Sequence, residues 1–324
     1  MVKLANAEMA EKKLATRAAF GATLAELVEE GVPVVAVDAD LTGSTTTKKF
    51  AAAAPENADK LFNCGIAEQN MIDVAAGLAL TGHVAYTGSF AVFGTGRAYD
   101  QIRNTVCYSN LDVKICPTHA GVSVGPDGGS HQMLEDVSLM RGLPNMRVLV
   151  PADYAAARAA IKLAAKTPGP VYVRMGRAAV PCVYDDDVEL ELGRAYVLRE
   201  GSDATVVACG VEIREALAAA DMLAEEGVSI EVIDAFSVKP LDEDTITASV
   251  AKTGCCVVAE EHSVHGGLGS AVAECLARKN PAPCEFVGVQ DRFGKSGEFE
   301  ELLGYFNLDA AAIVEAVKRA RGRK

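Results

Sequence analysis

A chain of 324 residues exceeds what one hydrophobic core usually organises and suits two domains of ordinary size. Its 44 acidic and 31 basic residues give a formal net charge of −13, which argues against nucleic acid as a main partner. Half of the residues are hydrophobic, yet no apolar run is long enough to span a bilayer, so a compact soluble fold without a membrane segment is expected.

Nine cysteines occur without a secretory leader pattern and without a C-x-x-C pair, which predicts reduced thiols in a cytoplasmic protein. From the amino terminus, residues 3–30 carry a helical pattern with Leu14, Ala18, Leu24, Leu27 and Val28 on one side and Arg17 within it. The β-branched run 32–37 then reads as a parallel strand buried on both faces. It leads into Asp38-Ala39-Asp40-Leu41-Thr42-Gly43-Ser44, at the carboxyl end of a strand, where open α/β sheets place ligands.

Glu68 follows in Gly65-Ile66-Ala67-Glu68-Gln69-Asn70, at the start of a predicted helix 66–80 whose wide apolar face packs inward. A first-turn acid is favoured by the helix dipole by a few tenths of a kcal/mol, roughly, so position alone assigns it no chemistry. The pattern continues as strand 83–87, helix 94–109, strand 112–117, a glycine-rich loop 119–131, helix 132–142, strand 148–150, helix 153–166 and strand 171–174. This alternation predicts a doubly wound parallel sheet over residues 1–182. A composition shift around Asp185-Asp186-Asp187 places a linker at 183–194, and renewed strand and helix signals predict a smaller α/β domain over 195–324. The apolar run from Cys255-Cys256 onward reads as a buried strand, and the basic tail 318–324 as a solvated end.

The loop 117–132 concentrates His119, Asp127 and His131 among Gly121, Gly125, Gly128 and Gly129, so that backbone can approach a ligand and polar tips can converge. Neutral histidines and a carboxylate suit a polyol, whose hydroxyls need donors and acceptors. Glu260-Glu261-His262-Ser263-Val264-His265 offers a His-x-x-His spacing, but no further ligands are grouped with it, so a strand-to-helix turn is expected and no metal is assigned to this chain.

The order Gly-Ile-Ala-Glu-Gln-Asn, a glycine- and alanine-rich helix, then Tyr86-Thr87-Gly88-Ser89-Phe90-Ala91-Val92-Phe93 resembles the pyrimidine-binding domain of thiamine diphosphate enzymes of the transketolase family. The loop through Thr118-His119, Asp127-Gly128 and Ser130-His131-Gln132 resembles the family's substrate loop. The resemblance implies that Glu68, kept protonated by burial, bonds to N1′ of the cofactor's aminopyrimidine, that Phe93 stacks on that ring with Phe90 on the same wall, and that Asp40 lies near the thiazolium. It implies further that His119 meets the substrate phosphate side, Asp127 a sugar hydroxyl and His131 the two-carbon fragment, where it can also shuttle a proton. Arg17, Ser44 and Arg177 match phosphate-binding positions. One departure is Gly96, where the family commonly shows a third aromatic; Tyr99 is the candidate to fill that space.

The resemblance covers the carboxyl-terminal part of a full enzyme, and no Gly-Asp-Gly motif with its following asparagine is present to hold a diphosphate through a metal. It therefore implies a separate amino-terminal subunit that holds Mg²⁺ (or Ca²⁺) and the diphosphate, in an α2β2 heterotetramer. The implied reaction is transfer of a two-carbon ketol unit from a ketose phosphate to an aldose phosphate. Two rival readings are the β subunit of a 2-oxo acid dehydrogenase and a noncatalytic scaffolding paralogue.

Overall fold

In the computed structural model, which describes residues 2–324, the apolar runs become strands of two main sheets. In chain order the strands are β1 (Lys13–Ala15), β2 (Val34–Asp38), β3 (Leu61–Asn63), β4 (Val84–Gly88), β5 (Val113–Ile115), β6 (Arg147–Leu149), β7 (Val171–Val173) and β8 (Ala179–Pro181). They continue as β9 (Tyr196–Arg199), β10 (Ala204–Ala208), β11 (Ile230–Asp234), β12 (Ser237–Lys239), β13 (Cys256–Ser263) and β14 (Cys284–Val289). The first sheet has the order β12-β6-β7-β5-β4-β2-β3, parallel from β6 to β3; the second has the order β14-β13-β10-β11-β9. The expected architecture, a parallel-sheet α/β domain followed by a smaller α/β domain, is the one observed.

Every residue of β2, β4, β10 and β11 is buried, because helices cover both faces of each sheet. Along β2, Val34 and Ala36 join a core with the helices Ala19–Glu29 and Tyr154–Lys166, whereas Val35 and Val37 face the helix Glu68–Leu80. Asp153 caps the helix Tyr154–Lys166 through the Ala156 N–H at 2.8 Å. No helix among the described residues is long and apolar enough to cross a membrane.

Several expectations need correction. The helical pattern over 3–30 breaks into a short helix Ala7–Glu11, strand β1, a 3-10 turn Thr16–Ala18 and the helix Ala19–Glu29, because β1 pairs with β8 more than 160 residues later. The helix expected over 94–109 is wound mostly as π turns, Val92–Arg97 and Ile102–Tyr108, and the one over 132–142 is confined to Asp136–Arg141. The expected linker is a packed segment: Asp153 Oδ2 accepts from the N–H groups of Val183 and Tyr184, and Tyr184 is fully buried with its hydroxyl 2.6 Å from Asp234. From within the stretch assigned to the second domain, β12 returns to pair with β6 of the first sheet. The helix Glu243–Thr253, capped by Asp242, was not read from the sequence; its apolar face is narrow.

Candidate active site

The residues singled out in the sequence gather beyond the carboxyl ends of β2, β3, β4, β5 and β7. Asp38, at the end of β2, is fully buried: Oδ1 accepts from Leu41 N at 2.7 Å, and Oδ2 accepts from the hydroxyls of Thr45 at 2.7 Å and Thr47 at 2.9 Å. Burial raises its pKa while these bonds work the other way. The bonds pin the loop that presents Asp40 and Ser44. Asp40 takes a left-handed φ of 63°, and its N–H donates to Asn63 Oδ1 at 3.1 Å. The same oxygen accepts from Gly65 N at 2.9 Å, tying Asp40 to the turn that launches the Glu68 helix.

Arg17 and Arg177 are brought together by a clasp between Thr16 and Gly176: Gly176 N donates to the Thr16 hydroxyl at 2.7 Å, and Arg17 N to Gly176 O at 3.3 Å. Both guanidinium groups bond to main-chain carbonyls, Arg17 to Ser44 O at 2.7 Å and Arg177 to Val124 O at 3.0 Å. Arg17 thus holds the backbone of Ser44. Burial and the neighbouring charge of Arg177 lower its pKa, with Asp127 as the opposing charge. The arrangement leaves positive charge in surplus, as an anion site requires.

His119 is buried, sits at φ 62° and stacks on Phe90 with ring centroids 3.8 Å apart; its Nδ1 lies 2.7 Å from the Thr118 hydroxyl. Burial, then the charges of Arg17, Arg177 and His131, pushes its pKa down to about 3. At neutral pH the ring is therefore uncharged and offers one N–H and one lone pair. His131 meets both phenylalanines edge-on, at 5.4 Å from Phe93 and 6.1 Å from Phe90, and the two phenylalanine rings stack at 6.1 Å.

Glu68 is the first residue of its helix and is buried, yet it has a partner that burial alone does not suggest. Arg97 Nη1 donates to Glu68 Oε2 at 2.8 Å, and the guanidinium lies over the Phe93 ring at 4.5 Å. The π turn Val92–Arg97 carries Phe93 and Arg97 on one segment. Gly94-Thr95-Gly96 was the local hint of irregular winding; Arg97 itself was missed, as were Asp38, Thr45 and Thr47. Tyr99 does not take the place of a third aromatic: it packs in the core with its hydroxyl 3.5 Å from Leu139 O, and a Cβ at Gly96 would meet only Met133 Cε at 3.9 Å.

The glycine-rich loop needs a different explanation from the one its composition suggests. A Cβ at Gly121 or Gly128 would overlap Glu261 or Ser296, and one at Gly129 would lie 2.7 Å from Gly294 O, so these glycines admit the second domain. Asp127 ends the 3-10 segment Val122–Asp127 and is exposed. Among the described residues no group of three or more His, Cys, Asp or Glu side chains is placed to hold a metal. His262, from the His-x-x-His spacing, is buried with Nδ1 2.6 Å from Ser263 O and Nε2 3.4 Å from Ser138 N.

Two family models match this chain in succession, the transketolase pyrimidine-binding domain over residues 12–183 and the transketolase C-terminal domain over residues 193–313. A protein of Methanocaldococcus jannaschii, provisionally named as a transketolase C-terminal section, is 44% identical over 93% of this chain and 94% of its own. A 6-deoxy-6-sulfo-D-fructose transketolase subunit of a Clostridium species is 42% identical over 93% of this chain and 92% of its own. A solved structure described as a split-gene transketolase, an inactive β4 tetramer, superposes with a TM-score of 0.87 at 48% identity, covering 96% of this chain and 99% of its own. Matched along almost its whole length by relatives of this kind, the chain belongs to the transketolase family, of which it carries the pyrimidine-binding and C-terminal domains.

Proposed function

We propose that this chain is the carboxyl-terminal subunit of a two-chain transketolase, which moves a two-carbon ketol unit from a ketose phosphate to an aldose phosphate with thiamine diphosphate. The observation that carries the reading is the unbroken run of contacts from Glu68 through Arg97, Phe93 and Phe90 to His119, with Arg17 and Arg177 acting on His119 from beyond it.

The residues present fit an aminopyrimidine. Arg97 already lays a flat, hydrogen-bonding cation on Phe93 and against Glu68, and such a ring would take over both contacts. The buried Ser89 hydroxyl, directly before Phe90, has no hydrogen-bond partner among the described residues. Thiamine diphosphate, when bound, supplies a carbanion equivalent that allows a carbon–carbon bond beside a ketose carbonyl to break and re-form. Glu68 would hydrogen-bond the ring nitrogen N1′, Phe93 and Phe90 would form the wall behind the ring, and Asp40 would lie near the cofactor's second ring. His119, neutral with its pKa near 3, gives a donor and an acceptor to sugar oxygens on the phosphate side. His131 addresses the two-carbon fragment and carries its proton, Asp127 accepts from a sugar hydroxyl, and Arg17, Ser44 and Arg177 take the anionic end.

The sugar in the name of the Clostridium relative carries a sulfonate where a sugar phosphate carries phosphate. Two guanidinium groups anchored on carbonyls suit either tetrahedral anion. The diphosphate and its Mg²⁺ or Ca²⁺ belong to the amino-terminal partner, in an α2β2 assembly. Support for a partner comes from Ile66, 78% exposed two residues before the buried Glu68, and from Tyr108, 88% exposed. The nine free thiols support a reducing, cytoplasmic setting.

The test is to purify the chain with candidate diphosphate-binding partners from its own cells and measure two-carbon transfer from xylulose 5-phosphate to ribose 5-phosphate. Transfer that needs both chains and the cofactor is expected. Transfer by this chain alone would remove the two-chain reading, and a stable complex that acts on 2-oxo acids would replace the reaction.

A further inference from the structure

We infer that Glu261, contributed by the second domain, is a positioning residue for the segment Val122–Asp127, and through it for Asp127 and Arg177. What the segment does in catalysis rests on the function proposed above; the contact itself does not.

Glu261 lies near the carboxyl end of β13 and is buried, and its Oε1 accepts from the Ser123 N–H. The carboxyl group is pressed so closely on the loop that a Cβ at Gly121 would overlap it, and Gly121 stands at φ 80°. One residue beyond Ser123, the Val124 carbonyl receives Arg177 Nη1 at 3.0 Å. Four residues beyond Ser123, the segment ends in Asp127. A shift of the Ser123 backbone therefore displaces both the guanidinium and the carboxylate assigned to substrate.

A second tether reaches the same segment at Val122, from Gln132 at the far end of the loop. Gln132 Nε2 donates to Val122 O at 3.1 Å and to Lys295 O at 2.9 Å, while its Oε1 accepts from Lys295 N at 2.7 Å. That bridge is neutral and pairs main chain with an amide. The Glu261 contact is made by a buried carboxyl group and is itself braced: Arg174 Nη2 donates to the Glu261 carbonyl at 2.9 Å, its Nη1 lies 3.9 Å from Oε2, and Asp136 fixes the same guanidinium from the other side. No local need of β13 accounts for a carboxylate here. Its neighbour Glu260 caps the helix Leu268–Lys279 through the N–H groups of Leu268 and Gly269, whereas Glu261 reaches out of its own domain.

The experiment has two arms. In the first, hydrogen exchange is followed on the full chain alone. Glu261→Ala is expected to speed exchange at the amides of residues 121–127 at least tenfold while β10 and β13 keep their protection, and Glu261→Gln, whose amide oxygen can still accept from Ser123, is expected to restore it. In the second, the reconstituted two-chain complex is assayed: Glu261→Ala raises KM for the anionic sugar about tenfold with kcat changed less than about twofold, and Glu261→Gln stays near the parent chain. Glu261→Asp, too short to reach Ser123, replaces the alanine variant if that chain does not fold. Unchanged exchange over 121–127 overturns the contact's positioning role. Faster exchange with KM unchanged overturns its link to substrate. If the parent complex transfers nothing, the proposed reaction fails while the exchange arm still decides whether Glu261 sets the segment.

Discussion

Arg174 and Arg177 stand three residues apart beyond β7, and their surroundings follow opposite rules. Arg174 is buried and paired: Nε and Nη2 reach Asp136 at 2.7 and 3.2 Å, and the Met133 and Glu261 carbonyls take what remains. Asp136 also accepts from the Tyr172 hydroxyl at 2.5 Å, so the cluster between the two domains neutralises itself. Arg177, half-buried, bonds to a carbonyl and faces a second guanidinium, that of Arg17. A cluster that holds domains together satisfies its own charges; one that waits for a ligand keeps them in surplus. Glu68 and Arg97 fall between these cases, a pair with one partner buried and the other 48% exposed, which makes the cation the displaceable member.

Breaking the self-satisfied cluster should cost most. Asp136→Ala leaves Arg174 charged, buried and without its carboxylate, and a loss of about 3–5 kcal/mol in denaturant unfolding is expected; a change under about 1 kcal/mol would show that the cluster is not a structural unit. Glu68→Ala should reverse that profile, lowering two-carbon transfer by the complex about a thousandfold through loss of the carboxyl group proposed to meet the cofactor ring, with little change in melting temperature. Retention of near full turnover would remove Glu68 from the mechanism. Arg177→Ala should raise KM for anionic sugars by about ten- to a hundredfold, the worth of a charge-assisted bond of roughly 1.5–3 kcal/mol, and should leave stability within about 0.5 kcal/mol. Equal losses for charged and uncharged sugars would contradict an anion site.

The last prediction concerns pH. Burial pushes both Asp234 and Glu261 up to about 7, and Asp234 Oδ1 is buried without a partner, as suits a protonated carboxyl. Between the ordinary carboxyl pKa near 4 and a value near 7, the folded chain keeps protons that the unfolded chain has released. Stability is therefore fullest at the acidic end of this window and is lost as pH rises through 7, by roughly 1 kcal/mol per unit and per group at its steepest. Melting at pH 5.5 should occur above melting at pH 8, with a shallower slope in Asp234→Asn. An equal slope in that variant would remove Asp234 as a source.

Much of the first domain was legible because its signals are local. Short apolar runs mark β2 and β4, and the period of the helices Glu68–Leu80 and Tyr154–Lys166 survives in a single window. Failures occurred where a distant partner overrode the local pattern. β1 is a strand because β8 lies beside it, and β12 leaves its own domain because the edge of β6 is open to it. Arg97 escaped notice for a similar reason: an arginine on a helical stretch ordinarily points to solvent, and only the π winding turns this one onto Phe93 and Glu68.

By itself the sequence determined the strands β2, β4, β5, β6 and β7 and the helices Glu68–Leu80 and Tyr154–Lys166 of the first domain, the surplus of acid, and the residue types from which an anion- and polyol-binding face can be made. Burial periodicity and side-chain chemistry are properties of short stretches, so they can be read without coordinates. Tertiary structure alone decided that Arg17 and Arg177 lie side by side, that Arg97 lies over Phe93 and against Glu68, and that the glycines of the loop serve the second domain. These depend on hydrogen bonds and close approaches between residues distant in the chain, 160 positions in the case of Thr16 and Gly176. Such pairings exist only once the chain has folded back on itself.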